Sequence, residues 1–187
     1  MIIDRIIPVI LAAGKSAPKS ALWSFVDAGG RNPLEIAADN CAELDAAVVV
    51  LGFDAARLRC KVPHGLRVVV HLGWRSGQLS SLLAAVRRLP RRAAILVYPV
   101  DLVYLKKRHV AKIVAAFRRR CRATKVVMPR SLGRAGHPVI FAEELRPELA
   151  RASTAREVAY RNTSRIQFVS LNTNAIWRSV DSGRRKK

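Results

Sequence analysis

Asp101 is the only carboxylate between Asp54 and Glu143, a stretch that carries twenty lysines and arginines. It directly follows the apolar run 93–100, which reads as a buried strand ending in a turn. A lone acid at the carboxyl end of a strand, in a strongly basic surrounding, is placed to hold a divalent cation beside a phosphorylated ligand, because ligands of open α/β sheets bind at that end of the strands. Capping of the loop or helix that follows is the plain alternative for such an aspartate. A second apolar run, residues 6–13, opens into Gly14-Lys15-Ser16-Ala17-Pro18-Lys19. A small-residue turn after a strand lets backbone N–H groups approach phosphate oxygens, and a lysine adds charge. The triplet Gly14-Lys15-Ser16 is not a Walker A loop, since that motif needs a glycine five residues earlier and Val9 stands there. The plain alternative for the turn is simple connection.

Further along, Gly77, Gln78, Ser80 and Ser81 open a helical pattern, and the unbonded N–H groups of a helix N-terminus suit a base edge or an anion. Ser80 acting as an ordinary helix cap is the competing reading. His137, just before Pro138, is a candidate for contact with a second substrate, or a structural histidine at a strand start. Trp74 reads as a packing residue.

These segments, in order, resemble the MobA-like NTP transferases, the molybdenum-cofactor cytidylyl- and guanylyltransferases and their relatives. Leu11-Ala12-Ala13-Gly14 with Ser16, then Pro18-Lys19, is similar to the family's opening motif, and Trp74-Arg75-Ser76-Gly77-Gln78-Leu79-Ser80-Ser81 to its W-x-x-G-x-x-S-S segment. Pro99-Val100-Asp101 matches the metal-binding strand end, and Gly133-Arg134-Ala135-Gly136-His137-Pro138-Val139 the stretch typical of the cytidylyltransferase-like branch. The resemblance implies a single-domain, Rossmann-like (GT-A-type) nucleotidyltransferase fold over residues 1–181, with residues 182–187 a basic tail expected to be disordered. It implies Lys19 and Asp101 as catalytic residues and Mg²⁺ on Asp101 and Asp181. Nucleotide would lie against Leu11, Ala12, Ala13, Gly14, Ser16, Lys19, Gly77, Gln78, Ser80 and Ser81, and the acceptor against His137. The implied reaction joins an NTP, CTP or GTP with CTP favoured by Gly136-His137-Pro138, to a phosphorylated small molecule such as molybdopterin.

The chain also departs from the family pattern. From Ser16 to Lys19 the first loop is shorter than usual and lacks its arginine. His71 replaces an asparagine, Val103 a proline, and the C-terminal signature is reduced to Ser179-Val180-Asp181-Ser182-Gly183. A catalytically impaired nucleotide-binding protein of the same fold is therefore the second reading, and a nucleic-acid-associated basic protein the third.

The elements that must position these residues alternate along the chain. Helical spacing of Leu34, Ala37, Ala38, Cys41 and Leu44 is followed by apolar runs at 46–51 and 66–71. Leu79, Leu82, Leu83, Val86 and Leu89 form one amphipathic stripe, and Val110, Ile113, Val114 and Phe117 another. Strands are expected at 125–128, at 138–141 (as an edge strand) and at 166–171, with helices around 143–151 and 154–160. Such alternation predicts an α/β fold with a mostly parallel central sheet and helices on both faces.

Half of the 187 residues are hydrophobic, which excludes a disordered chain, and no apolar run is long enough for a membrane helix. The start reads as strand rather than signal peptide, and Cys41, Cys60 and Cys121 lack metal-ligand spacing, so a cytoplasmic protein with reduced thiols is expected. The net charge of +21 makes some nonspecific polyanion affinity expected.

Overall fold

A computed structural model describes residues 5–15 and 26–180. Strand β1 (Ile6–Ala12) leads to α1 (Pro33–Asn40), β2 (Val48–Leu51), the short α2 (Ala55–Leu58) and β3 (Arg67–Val70). There follow α3 (Gln78–Val86), β4 (Ala94–Pro99), α4 (Lys107–Arg118), β5 (Val126–Ser131), β6 (Arg134–Ala135) and β7 (Val139–Phe141). The chain closes with α5 (Arg146–Arg151), α6 (Ala155–Tyr160), β8 (Ile166–Ser170) and a 3₁₀ turn over Asn174–Ile176. The strands make one sheet in the order β3-β2-β1-β4-β7-β5-β6, with β8 also paired to β5. Pairings β3-β2, β2-β1, β1-β4 and β5-β8 are parallel; β4-β7, β7-β5 and β5-β6 are antiparallel.

Both faces of the sheet are covered because its central strands are apolar at every position. In β1, Ile6, Ile10 and Ala12 face one core and Ile7, Val9 and Leu11 the other, as the two-residue period of a strand requires. The first core is completed by α1 and α4 through Leu34, Ala37, Val110, Ile113 and Phe117. The second is completed by α3, α5 and α6 through Leu79, Leu82, Leu149 and Val158.

Local chemistry sets the helix starts. The Asn32 side chain accepts from the N–H groups of Leu34 and Glu35 at 2.9 and 3.2 Å, Glu35 accepts from the Asn32 N–H, and Pro33 needs no partner in the first turn. In the same way the Thr154 hydroxyl accepts from the Glu157 N–H at 3.0 Å. Asn40, at the other end of α1, is buried and donates to Tyr98 Oη and the Leu105 carbonyl, each at 2.9 Å, which ties α1 to the loop after β4.

Two expectations need correction. Residues 138–141 are not an edge strand, for β7 lies between β4 and β5. Pro138 is tolerated there because pairing starts one residue later, at Val139 opposite Val97, so no ladder donor is lost. The strand expected at 125–128 continues to Ser131, past Pro129, whose carbonyl accepts from the Gly136 N–H at 2.9 Å. Among the described residues no helix is long and apolar enough to cross a membrane.

Candidate active site

The sheet order reverses between β1 and β4: from β1 the chain moves outward to β2 and β3, then returns to place β4 on the other side of β1. Such a switch leaves a crevice at the carboxyl ends of the two strands. Leu11 is in register with Pro99, and the Val100 N–H donates to the Leu11 carbonyl at 3.2 Å. The turn at Gly14 and the turn that carries Asp101, distant in sequence, therefore leave the sheet side by side.

Leu11, Ala12 and Ala13 are buried, their side chains divided between the two cores, so any nucleotide contact from them is through backbone. A Cβ added at Gly14 would meet nothing within 4 Å. The turn is braced from the β2 side. The Phe53 N–H donates to the Ala13 carbonyl at 3.0 Å, and the Phe53 ring meets Trp74 edge-on at 5.4 Å between centroids. Gly52 lies so close to both that a Cβ would stand 2.6 Å from the Ala13 oxygen and 2.6 Å from Trp74 Cβ. Only glycine allows this approach. Lys15 Nζ lies 5.5 Å from the Phe53 ring centre, and the Arg75 guanidinium 5.2 Å from that of Trp74. Trp74 is thus a packing residue, as its sequence context implies, and what it packs is the turn.

Gly77 begins α3 with φ +97°, a conformation that favours glycine, and with open space where a Cβ would be. No side chain caps this helix. The Ser80 hydroxyl, expected as a cap, instead donates to the Gly77 carbonyl at 2.7 Å, and Ser81, buried, does the same at 3.4 Å. His71 Nε2 lies 3.1 Å from Ser80 Oγ. With the hydroxyl proton directed at Gly77, Nε2 is the donor of that pair, which assigns the tautomer. His71, standing where the resembled family has asparagine, ties the end of β3 to the start of α3. Gln78 is exposed on the first turn.

Asp101 is half-buried in the turn after β4. Its charge reaches the Tyr98 hydroxyl, which burial above all, and the Asp101 carboxylate in addition, push well above the usual phenol range against the bond from Asn40. Among the described residues no three of His, Cys, Asp and Glu gather where they could hold a metal ion. Asp101, just past the end of β4, offers one carboxylate, and Mg²⁺ takes one or two and completes its shell with waters and phosphate oxygens.

His137 is placed differently from the other site residues. Its N–H donates to the Ile176 carbonyl at 2.7 Å, and a Cβ at Gly136 would stand 2.4 Å from the same oxygen. The 174–176 turn is therefore pressed directly against this segment. His137 Nδ1 is out of reach of solvent and has no partner, and burial lowers the imidazole to about 4, so the ring is neutral. Ser16, Lys19 and Asp181 lie outside the described residues, as does the 182–187 tail.

Sequence reasoning missed a further group at this edge. The Arg134 guanidinium lies 4.6 Å from the Trp177 ring centre, and that of Arg178 4.1 Å from Tyr104, in the loop that carries Asp101. Arg134 belongs to the motif that ends in His137-Pro138-Val139, and Trp177-Arg178 shortly precedes Asp181; the only signal was this proximity to residues already singled out.

A family model described as MobA-like NTP transferase domain matches residues 8–166. A search of curated proteins finds no match. Among solved structures, the manganese complex of Rv0371C from Mycobacterium tuberculosis H37Rv aligns over 97% of each chain, with 23% identity and a TM-score of 0.76. A 4-diphosphocytidyl-2C-methyl-D-erythritol synthase from Anaerococcus prevotii aligns over 95% of this chain and 91% of its own, with 15% identity and a TM-score of 0.72. Molybdopterin-guanine dinucleotide biosynthesis protein A from Archaeoglobus fulgidus covers 88% of this chain and 83% of its own, with 15% identity and a TM-score of 0.62. At these identities the likeness is one of fold.

Proposed function

Because the chain belongs to the MobA-like NTP transferase family and is thereby a nucleotidyltransferase, we propose that it transfers CMP from CTP to a phosphorylated small molecule, with Mg²⁺, and releases pyrophosphate. Molybdopterin is the acceptor suggested by family kinship, and the cytoplasm, where free thiols such as Cys60 persist, is the setting. The observation that carries the reading is the meeting of the Gly14 turn with Asp101 at the reversal of strand order.

In this reading the acceptor phosphate attacks the α-phosphate in line, and no protein nucleophile takes part. Gly14 and Gly77 leave room for the nucleotide to approach backbone, and the start of α3 offers N–H groups to the base or an anion. The brace of Phe53, Trp74 and Gly52 holds the turn still, so its N–H groups need not reorganise as charge develops. Lys19 neutralises charge at the α-phosphate. Asp101, with Asp181, would hold Mg²⁺, which supplies neutralisation of the phosphate oxygens. His137, neutral and enclosed, shapes the acceptor side without adding charge.

The test is calorimetric binding of CTP and GTP with and without Mg²⁺, together with pyrophosphate release in the presence of phosphorylated acceptors. Tighter Mg²⁺-dependent binding of CTP than GTP, with pyrophosphate released, is the expected result. Equal binding with and without Mg²⁺ would overturn the metal assignment. Binding without release for any acceptor would favour the second reading, a nucleotide-binding protein that has lost turnover, which the short loop from Ser16 to Lys19 already supports.

A further inference from the structure

Two clusters of exposed arginines lie at the opposite edge of the sheet. Register defines that edge: Ile6 pairs with Ala94, Ile95 with Phe141, Phe141 with Val126, and Val126 with Ile166. The segments that precede β1, β4, β5 and β8 therefore emerge together. Arg87, Arg91 and Arg92 lie in the segment before β4, and Arg118, Arg119 and Arg122 at and beyond the end of α4, before β5. The two clusters flank the edge, since α3 covers one face of the sheet and α4 the other.

All six side chains are exposed, and none takes part in an ion pair or ring contact among the described residues. Most acids at the same edge are already engaged, Asp45 with Arg5 at 2.9 Å, Glu144 with Lys125, and Glu148 with Arg165 at 2.8 Å, while Glu143 stands exposed. What remains is two groups of guanidiniums, one on each side of the sheet edge, whose planar forks match phosphate oxygens two at a time.

The surroundings narrow the partner. The exposed large hydrophobic residues among those described are Val26, Val70, Leu72, Leu132 and Tyr160, none in either cluster. A protein interface needs an apolar centre and a membrane-inserting surface an apolar wedge. Single strands are held by stacking on exposed rings, whereas within the two clusters the aromatic residue is Phe117, buried with the Arg120 guanidinium 3.6 Å from its centre; Tyr160, before β8, is the exposed ring of this edge and stands in neither cluster. We infer that this edge binds the phosphate backbone of a double-helical nucleic acid, independently of sequence, on the side of the molecule away from the nucleotide crevice.

The test is fluorescence anisotropy with labelled random-sequence duplexes, DNA in one arm and RNA in the other, across a salt series. Six engaged guanidiniums give a log–log salt slope of about −5. A variant with Arg91, Arg92, Arg118 and Arg119 changed to Gln should flatten the slope by about 3 to 4 and weaken low-salt binding roughly a hundredfold. A control of equal charge change, with Arg57, Arg59, Arg67 and Arg151 changed to Gln, should stay within about threefold of the parent. Equal losses in both variants, or no binding by the parent, would overturn the inference. At fixed Mg²⁺ and matched ionic strength, saturating CTP should leave duplex affinity unchanged, and competition would overturn the placement. Patch-dependent binding to phosphatidylserine vesicles as tight as to duplex would replace nucleic acid with membrane. Thermal unfolding checks each variant, and the pairs Arg91/Arg92 and Arg118/Arg119, tested separately, keep the question decidable if the fourfold change unfolds the chain.

Discussion

The two edges of the sheet carry arginine in different ways. At the carboxyl edge the guanidiniums are laid on rings, Arg75 on Trp74, Arg134 on Trp177 and Arg178 on Tyr104. At the amino edge Arg120 also lies on a ring, that of Phe117, but Arg87, Arg91, Arg92, Arg118, Arg119 and Arg122 stand exposed with no ring beneath them among the described residues. A stacked guanidinium has spent its rotamer freedom before a ligand arrives, so it contributes position as well as charge. A loose one contributes charge alone. On the two proposals made above, one edge suits a small ligand in a single pose and the other attraction summed over many equivalent phosphates.

The largest expected effect tests the ordered edge. Asp101→Asn should lower turnover a thousandfold or more, roughly 4 kcal/mol in the transition state, and weaken Mg²⁺-dependent CTP binding, while thermal unfolding stays within about 1 kcal/mol of the parent. Unchanged metal-dependent binding on that variant would reduce Asp101 to a turn residue.

Next comes the pH response of the same edge. His137 is held near 4 in the fold against an ordinary value of 6.5. Between those values the unfolded chain binds the extra proton, so stability is lost as pH falls from about 6.5 towards 4, on the order of 3 kcal/mol. Denaturant titrations of the parent and His137→Asn across that range should show the slope in the first and little of it in the second.

A smaller effect separates the two glycines of the brace and turn. Gly52→Ala puts a Cβ against the Ala13 oxygen and Trp74, and should cost about 2 kcal/mol. Gly14→Ala meets nothing within 4 Å among the described residues, so its melting temperature should hold while CTP affinity falls. If Gly14→Ala leaves CTP affinity unchanged, the nucleotide does not pass over the turn.

The smallest effect belongs to the amino edge. The Arg165 guanidinium, hydrogen-bonded to Glu148, holds that carboxyl below its ordinary 4.5, so its contribution is present above that value and is lost as pH falls below it. Glu148→Gln should cost about 1 kcal/mol or less at neutral pH, and should flatten the acid limb of the stability curve only below about pH 4.5.

Strand ends and helix stripes were legible because burial on both faces of a sheet leaves continuous apolar runs, and because Asp101 and Gly14 interrupt such runs. The central position of β7 was not legible: three residues after a proline look like an edge, and only pairing with Val97 and Val127 shows otherwise. Ser80 looked like a cap, yet its hydroxyl turns back to the Gly77 carbonyl, and His71, at the end of β3, meets its oxygen. The constraint on Gly52 arises from Trp74 and Ala13, neither a neighbour in sequence. The rings beneath Arg134 and Arg178 both lie far along the chain, so neither stack is written in local pattern.

The pairing of β1 with β4 has a kinetic side. Ile6 and Ala94 meet across about ninety residues, a closure that costs roughly 4 kcal/mol of chain entropy before any contact across it is gained. A refolding chain can assemble β1, β2 and β3 from shorter-range contacts and already own the Gly14 turn, yet lack Asp101 beside it. Helical signal should therefore recover ahead of Mg²⁺-dependent nucleotide binding, and the delay between them times the insertion of β4.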